Sequence, residues 1–243
     1  MMASKRNIQT EQYRWQRHHP ALIVGDRLRA HARRADPMLP HFEQSPVASE
    51  CGAMGVASAL VILGLAKSHA LTMASTRKSG VPYVFFQAFR ETWFEGCDHQ
   101  DMVRRILMMK LPVSLGFRFL GAVDLESFAM MNLARGELVM LAFRSVQHGK
   151  TNHWALGLGA EGVAIDGRHI VDTLLLLDSS APDPQYRVWN ARLRMNDGGV
   201  SHVNLVNKTS SKRSKPITWW YESSQWAPEL VRLEAAVRIK RND

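Results

Sequence analysis

Three residues of the types that perform nucleophilic catalysis occur at positions that the chain can bring together: Cys51, His153 and Asp178. A thiolate attacks carbonyl carbon, an imidazole takes up and returns the proton, and a carboxylate orients the imidazole. The sequence therefore directs attention to one reaction class, acyl transfer through a cysteine, and to the elements that must position these side chains.

Cys51 lies at the predicted start of a helix. Ser49 is a good N-cap and Glu50 suits the positive end of the helix dipole, while residues 53–63 are apolar on every face. This pattern predicts a buried central helix with the Cys51 sulfur in its first turn, where the unpaired N–H groups favour a thiolate. The alternative is a free cysteine that serves only as a small buried apolar residue.

His153 and Asp178 occupy complementary ends of two predicted strands, 153–165 and 169–178. If these strands form an antiparallel hairpin, the start of the first lies beside the end of the second. The imidazole and the carboxylate then come within hydrogen-bonding reach, and the other ring nitrogen is left for a nucleophile.

Other residues compete for these roles. Asp166 and Asp172 are alternative partners for His153, although both lie at or beyond a turn. Cys97, followed by Asp98 and His99, is a second candidate nucleophile. Adjacent side chains on a turn rarely converge, so Cys51 is the favoured cysteine.

The order of elements predicts an α+β protein, with helices first and an antiparallel sheet second. Helical patterns begin near Pro82 and at Asp101 and Asp124, and β-rich segments follow from residue 137. A last strand and a C-terminal helix over residues 227–239 complete the prediction. Residues 1–40 are predicted to form a basic N-terminal arm, and residues 41–243 the single domain.

Four features of the chain form a pattern: Gln44, the segment Ser49-Glu50-Cys51-Gly52, the pair His153-Trp154, and Asp178 after an apolar strand. This pattern, which covers about residues 42–190, resembles the papain-like cysteine peptidases, in particular the bacterial leader peptidases that cut after double-glycine motifs. The resemblance implies a papain-like fold with helices around the central helix that carries Cys51, a Cys51–His153–Asp178 triad, and Gln44 in the oxyanion hole.

The same resemblance implies hydrolysis of a peptide or isopeptide bond in a peptide or protein substrate, with no metal and no organic cofactor. Amidase, transpeptidase and removal of ubiquitin-like modifiers are further options for such a site. A papain-like domain without activity, serving as a binding module, is the alternative function.

The composition bounds the partners. The chain of 243 residues has a net charge of +9, with basic residues concentrated in residues 1–36 and 208–215. We expect these to be solvated segments with weak, non-specific attraction to nucleic acid, and a nucleic-acid-associated protein is the other alternative. No apolar stretch is long enough to span a membrane. Two cysteines and no secretory signal predict a cytoplasmic protein, with specialised export left open.

Overall fold

The computed structural model describes residues 12–31, 36–147, 152–196 and 217–242. Its helices are α1 (Cys51–Ile62), α2 (Ser68–Thr72), α3 (Gly80–Phe89), α4 (Thr92–Glu95), α5 (His99–Met108) and α6 (Leu125–Ala134), with a 3-10 turn at Ala74–Thr76. The basic stretch 208–215 lies outside the described residues.

Ten strands are formed by the described residues. They are β1 (Gln12–His18), β2 (Leu22–Ile23), β3 (Arg29–Ala30), β4 (Val113–Phe119), β5 (Leu138–Ser145), β6 (Asn152–Ile165), β7 (Arg168–Leu177), β8 (Ala191–Met195), β9 (Trp219–Ser223) and β10 (Glu229–Arg241). The predicted strands at 137–146, 153–165 and 169–178 are confirmed as β5, β6 and β7, because continuous apolar runs bounded by turn residues mark buried strands.

Six of these strands close into an antiparallel barrel in the order β6, β5, β10, β9, β8, β7, with β7 pairing back to β6. Two more strands extend the same sheet: β1 pairs with β6, and β4 pairs with β10. The predicted papain-like α+β class is therefore wrong. The sheet does not follow a helical half as a separate layer but closes on itself, and β10 is the strand that closes it.

The C-terminal segment explains this error. Residues 227–239 were predicted to be a helix, whereas they lie mostly in β10. A bulge between Leu233 and Ala235 breaks the alternation of apolar residues. Glu234, Ala235 and Ala236, which lie at or beside this bulge, are good helix formers. With the alternation interrupted there, the apolar residues of the segment have a spacing that resembles that of a helix.

Part of the predicted N-terminal arm belongs to the sheet. The polar strand β1 pairs along its whole length with β6, from Gln12 opposite Ile165 to His18 opposite Gly159. Residues 22–23 and 29–30 form a small hairpin, the second sheet of the structure. Residues 12–18 and this hairpin thus adjoin the barrel.

The strands send alternate side chains into two apolar clusters. On β5, Val139, Leu141 and Phe143 join a cluster capped by α6, whereas Met140 and Ala142 face the cluster that contains α1. The prediction of a buried central helix is confirmed, because ten of the twelve residues of α1 are buried. Each large apolar side chain of α1 that is removed from water stabilises the fold by about 1.5–3 kcal/mol.

Glycines let α1 approach the barrel closely. A Cβ atom at Gly55 would lie 2.6 Å from the Cε atom of Met140, and one at Gly52 would lie 2.7 Å from Cε of Met102 and 3.4 Å from the Trp154 ring. The first turn of α1 therefore rests against the start of β6. In the part of the chain that the structure describes, no helix is both long enough and apolar enough to cross a membrane.

Candidate active site

Cys51 is the first residue of α1. Glu50, rather than the predicted Ser49, is the N-cap residue, so the helix begins at the cysteine itself. The side chain of Glu50 turns back and accepts a hydrogen bond from the Ser45 backbone N–H at 2.8 Å, while Ser49 N–H donates to the carbonyl of Trp93 at 2.7 Å. These two bonds hold the segment that leads into Cys51.

The environment of the Cys51 thiol is set by His153 and by the backbone of Trp154. Burial raises the pKa of the thiol, but a hydrogen bond with the His153 ring, the charge of that ring and the Trp154 backbone N–H lower it, and the net pKa lies below its ordinary value. Cys51 is partly exposed. The arrangement therefore favours a thiolate that a substrate can reach.

His153 Nε2 donates a hydrogen bond to Asp178 Oδ1 at 2.8 Å. The predicted hairpin is confirmed and brings them together: β6 and β7 pair antiparallel with Leu156 opposite Leu177, so Asp178, just past the end of β7, lies next to the first residues of β6, which include His153. Because Nε2 is engaged by the carboxylate, Nδ1 is the ring nitrogen left for the Cys51 thiol. The imidazole thus lies between the sulfur and the carboxylate.

The charge of Asp178 keeps the His153 ring protonated. Burial lowers the pKa of the imidazole, but the negative charge of Asp178, its hydrogen bond and the hydrogen bond with Cys51 raise it to about 10. Below that pH the ring is an imidazolium, which stabilises a neighbouring thiolate. The pair can therefore exist as thiolate and imidazolium across neutral pH.

Asp178 is fully buried, with 0% of its surface exposed, and four donors hold its carboxylate. Besides His153, Oδ1 accepts from the Ser180 backbone N–H at 2.8 Å and from the Ser180 hydroxyl at 2.7 Å, and Oδ2 accepts from the Tyr221 hydroxyl at 2.6 Å. Burial opposes ionisation, yet His153 and these donors lower the pKa of the carboxyl well below its usual range. Asp178 is therefore a fixed anion.

Asn190 fixes the loop that carries Asp178. Its Oδ1 accepts from the Asp178 backbone N–H at 2.7 Å, and its Nδ2 donates to the carbonyl oxygens of Asp178 at 2.8 Å and Pro182 at 3.0 Å. Asn190 is itself buried. A buried amide that is satisfied on both sides holds the carboxylate in place against rotation of the chain.

Gln44 is attached to the residue after Asp178. Its Oε1 accepts from the Ser179 hydroxyl at 2.9 Å, and its backbone N–H donates to the Ser179 carbonyl at 2.9 Å. Because Oε1 is engaged, the amide is oriented with Nε2 as its donor end. The predicted oxyanion role of Gln44 requires such an oriented donor and stays a prediction.

The competing carboxylates lie elsewhere, whereas the competing cysteine, Cys97, lies beside the site. Asp166 is in the turn at the far end of the β6–β7 hairpin, and Asp172 binds Arg14 at 2.6 Å. Burial raises the pKa of Cys97 to about 12, which keeps its thiol protonated. The structure thus brings Cys51, His153 and Asp178 together and leaves Asp166 and Asp172 apart. Cys97 adjoins the first turn of α1, where its sulfur would lie 3.5 Å from a Cβ atom at Gly52, but as a protonated thiol.

Sequence reasoning missed Tyr221, Ser180 and Asn190. The Asp178-Ser179-Ser180 segment does carry a signal for the Ser180 contact, because aspartate at a turn commonly accepts from the N–H two residues on. Tyr221 is 43 positions further along the chain, and its approach depends on β8 and β9 pairing in the barrel. No local pattern reports such a contact.

Among the described residues, no group of three or more His, Cys, Asp and Glu side chains is arranged to hold a metal ion. Comparison of the chain with protein-family models, with curated proteins and with solved structures gave no match.

Replacing Tyr221 with phenylalanine should leave one oxygen of the buried carboxylate without its donor. We expect a loss of about 1–3 kcal/mol in the free energy of unfolding. We also expect a rise in the pKa of Asp178, because one bond to its charged form is lost. Urea titration of Tyr221→Phe measures the first effect, with the exposed Tyr186→Phe as control. Equal midpoints for the two variants would contradict the assigned role of Tyr221.

Proposed function

We propose that this protein is a cysteine hydrolase that cleaves a peptide or isopeptide bond through Cys51, His153 and Asp178. The observation that carries the proposal is the position of the His153 ring, which is hydrogen-bonded to the buried Asp178 carboxylate at 2.8 Å and lies close enough to Cys51 to lower the pKa of its thiol. Triads are recognised by this geometry and these roles, and they occur on unrelated folds.

The first half-reaction forms an acyl-enzyme. The Cys51 thiolate attacks the carbonyl carbon, an S–C bond forms, and the carbonyl electron pair moves to oxygen. The Cys51 backbone N–H stabilises that oxyanion, with the Gln44 amide as the second donor. The oxyanion then collapses, the C–N bond breaks, and the leaving amine takes the proton from His153 Nδ1.

The second half-reaction releases the acid. His153, now neutral, accepts a proton from water while the water oxygen attacks the thioester carbonyl carbon. The S–C bond breaks, and the electron pair returns to sulfur as the thiolate next to the imidazolium. Throughout, Asp178 holds the imidazole and stays ionised.

The choice of peptide bonds is supported by the local likeness to papain-like peptidases around Cys51 and His153. That likeness concerns these short segments and the reaction. The mechanism also requires Cys51 to be a free thiol, and both cysteines are free. A reducing compartment such as the cytoplasm is therefore part of the proposal.

An acyl-enzyme trapping experiment tests the proposal. With p-nitrophenyl acetate, the Cys51 thiolate should form a thioester and expel p-nitrophenolate, which gives a burst equal to the enzyme concentration if deacylation is slower. Peptide mapping should then find the acetyl group on Cys51. Release of p-nitrophenolate, as a burst or as steady turnover, that is no faster than in Cys51→Ala would argue against a nucleophilic Cys51.

A further inference from the structure

A pocket of about 370 Å³ opens beside α1, close to Cys51. Met54, three residues after the cysteine, and Ala57, three residues further, form one wall of it. Three residues of helix correspond to about 4.5 Å along the axis. The wall of the pocket therefore begins within one turn of the sulfur.

The floor of the pocket is apolar and its rim is polar. Ala57, Leu71, Ala74 and Phe85 line it and are each at most 5% exposed. The rim carries polar groups that include Ser75, an exposed residue. A site of this size and composition takes up one large apolar group and leaves the polar part of the same ligand at the rim.

The pocket is also joined to the loop of the triad. His41 lines it, and the Nε2 atom of His41 lies 3.0 Å from the carbonyl oxygen of Asp178. Residues 42 and 43 also line it, and the next residue in the chain, Gln44, is bonded to Ser179. A group in the pocket and a carbonyl at Cys51 can thus belong to the same bound molecule.

We propose that this pocket binds a large apolar side chain, aromatic or branched aliphatic, of the peptide substrate next to the bond that is cleaved. The inference rests on the proposed function, since it concerns the substrate of the same site. The side chain in the pocket holds the scissile carbonyl against the Cys51 sulfur, so it determines specificity and positions the reacting bond.

A series of chloroacetamides tests the pocket directly. In each, the Cys51 thiolate displaces chloride from the methylene carbon, and the amide nitrogen carries methyl, benzyl or naphthylmethyl. We expect Cys51 to react about tenfold faster with the aromatic compounds than with the methyl compound, after division by the corresponding rates with glutathione. Mass spectrometry of the Cys51 peptide gives these rates.

Two variants should remove this preference. Ser75→Trp obstructs the rim from an exposed position, and Ala57→Leu fills the floor; the exposed variant keeps the test valid if the buried one fails to fold. In both variants, Cys51 should react with the aromatic and the methyl chloroacetamides in the same ratio of rates as glutathione does. Thr76→Trp, on the same turn but outside the lining, is the matched control and should keep the wild-type ratio.

A separate measurement with iodoacetamide distinguishes failure of the pocket inference from failure of the proposed function. This reagent is too small to need the pocket, so its reaction rate reports only the reactivity of Cys51. If its reaction with Cys51 depends on His153 but the chloroacetamides show no aromatic preference, or one that survives Ser75→Trp, the pocket inference is overturned and the proposed function stands. If the iodoacetamide reaction does not depend on His153, both are overturned.

Discussion

Replacement of Cys51 with alanine is expected to reduce kcat/KM for hydrolysis of a cleaved peptide by about 10,000-fold or more. In the proposed mechanism the side chain that forms the acyl-enzyme is then absent, and the remaining groups provide only binding and oxyanion stabilisation. The helix should be unaffected, since alanine is a good helix former. Rates of peptide hydrolysis, followed by chromatography of the products, measure the effect.

Cys97→Ala is the matched control for this prediction. Cys97 is also partly exposed, but burial keeps its pKa at about 12, so it is protonated at neutral pH. Hydrolysis by Cys97→Ala should stay close to that of the wild type. A large loss of activity in Cys97→Ala with full activity in Cys51→Ala would exchange the roles of the two cysteines and contradict the proposed site.

Replacement of Asp178 with asparagine is expected to lower kcat by about 1,000- to 10,000-fold, because an amide cannot stabilise the imidazolium and favours the wrong tautomer. The pH profile should change as well. Against the effect of burial, Asp178 and, to a smaller extent, Cys51 raise the pKa of His153 to about 10, which favours the imidazolium up to alkaline pH. Without the carboxylate the His153 ring loses its proton at a lower pH, and the alkaline limb of the profile therefore shifts to lower pH.

Asp172→Asn is the control for this effect. Asp172 lies on β7, the strand that Asp178 directly follows. Unlike Asp178, it pairs with Arg14 and not with His153. Measuring kcat from pH 5 to pH 10.5 in both variants separates a role of Asp178 in the reaction from a general loss of negative charge. An alkaline limb that stays in place in Asp178→Asn would contradict the assigned partner of His153.

The helix and the hairpin of the candidate site could be predicted because each of them is local. A buried helix that begins at Cys51 follows from the apolar run behind it, and the β6–β7 hairpin follows from two apolar strands around a short turn. The antiparallel register then places His153 beside Asp178. Each of these steps uses residues that are near one another in the sequence.

The barrel could not be predicted in the same way. It depends on β10, where the bulge at Leu233–Ala235 disguises a strand as a helix, and on pairings between distant segments. The edge strands β1 and β4 were missed because β1 is polar and β4 follows a helix that ends just before it. Contacts that come from closure of the barrel, such as Tyr221 to Asp178, were therefore invisible in the sequence.

The central claim, an activated thiolate at Cys51, is tested most directly by brief alkylation with iodoacetamide at pH 6.5 and mass spectrometry of both cysteine peptides. We expect rapid labelling of Cys51, because its pKa is lowered, and slow labelling of Cys97. His153→Ala should abolish the rapid reaction, whereas His169→Ala, at an exposed position on β7, should not. Equal, slow labelling of both cysteines, unchanged in His153→Ala, would contradict the account.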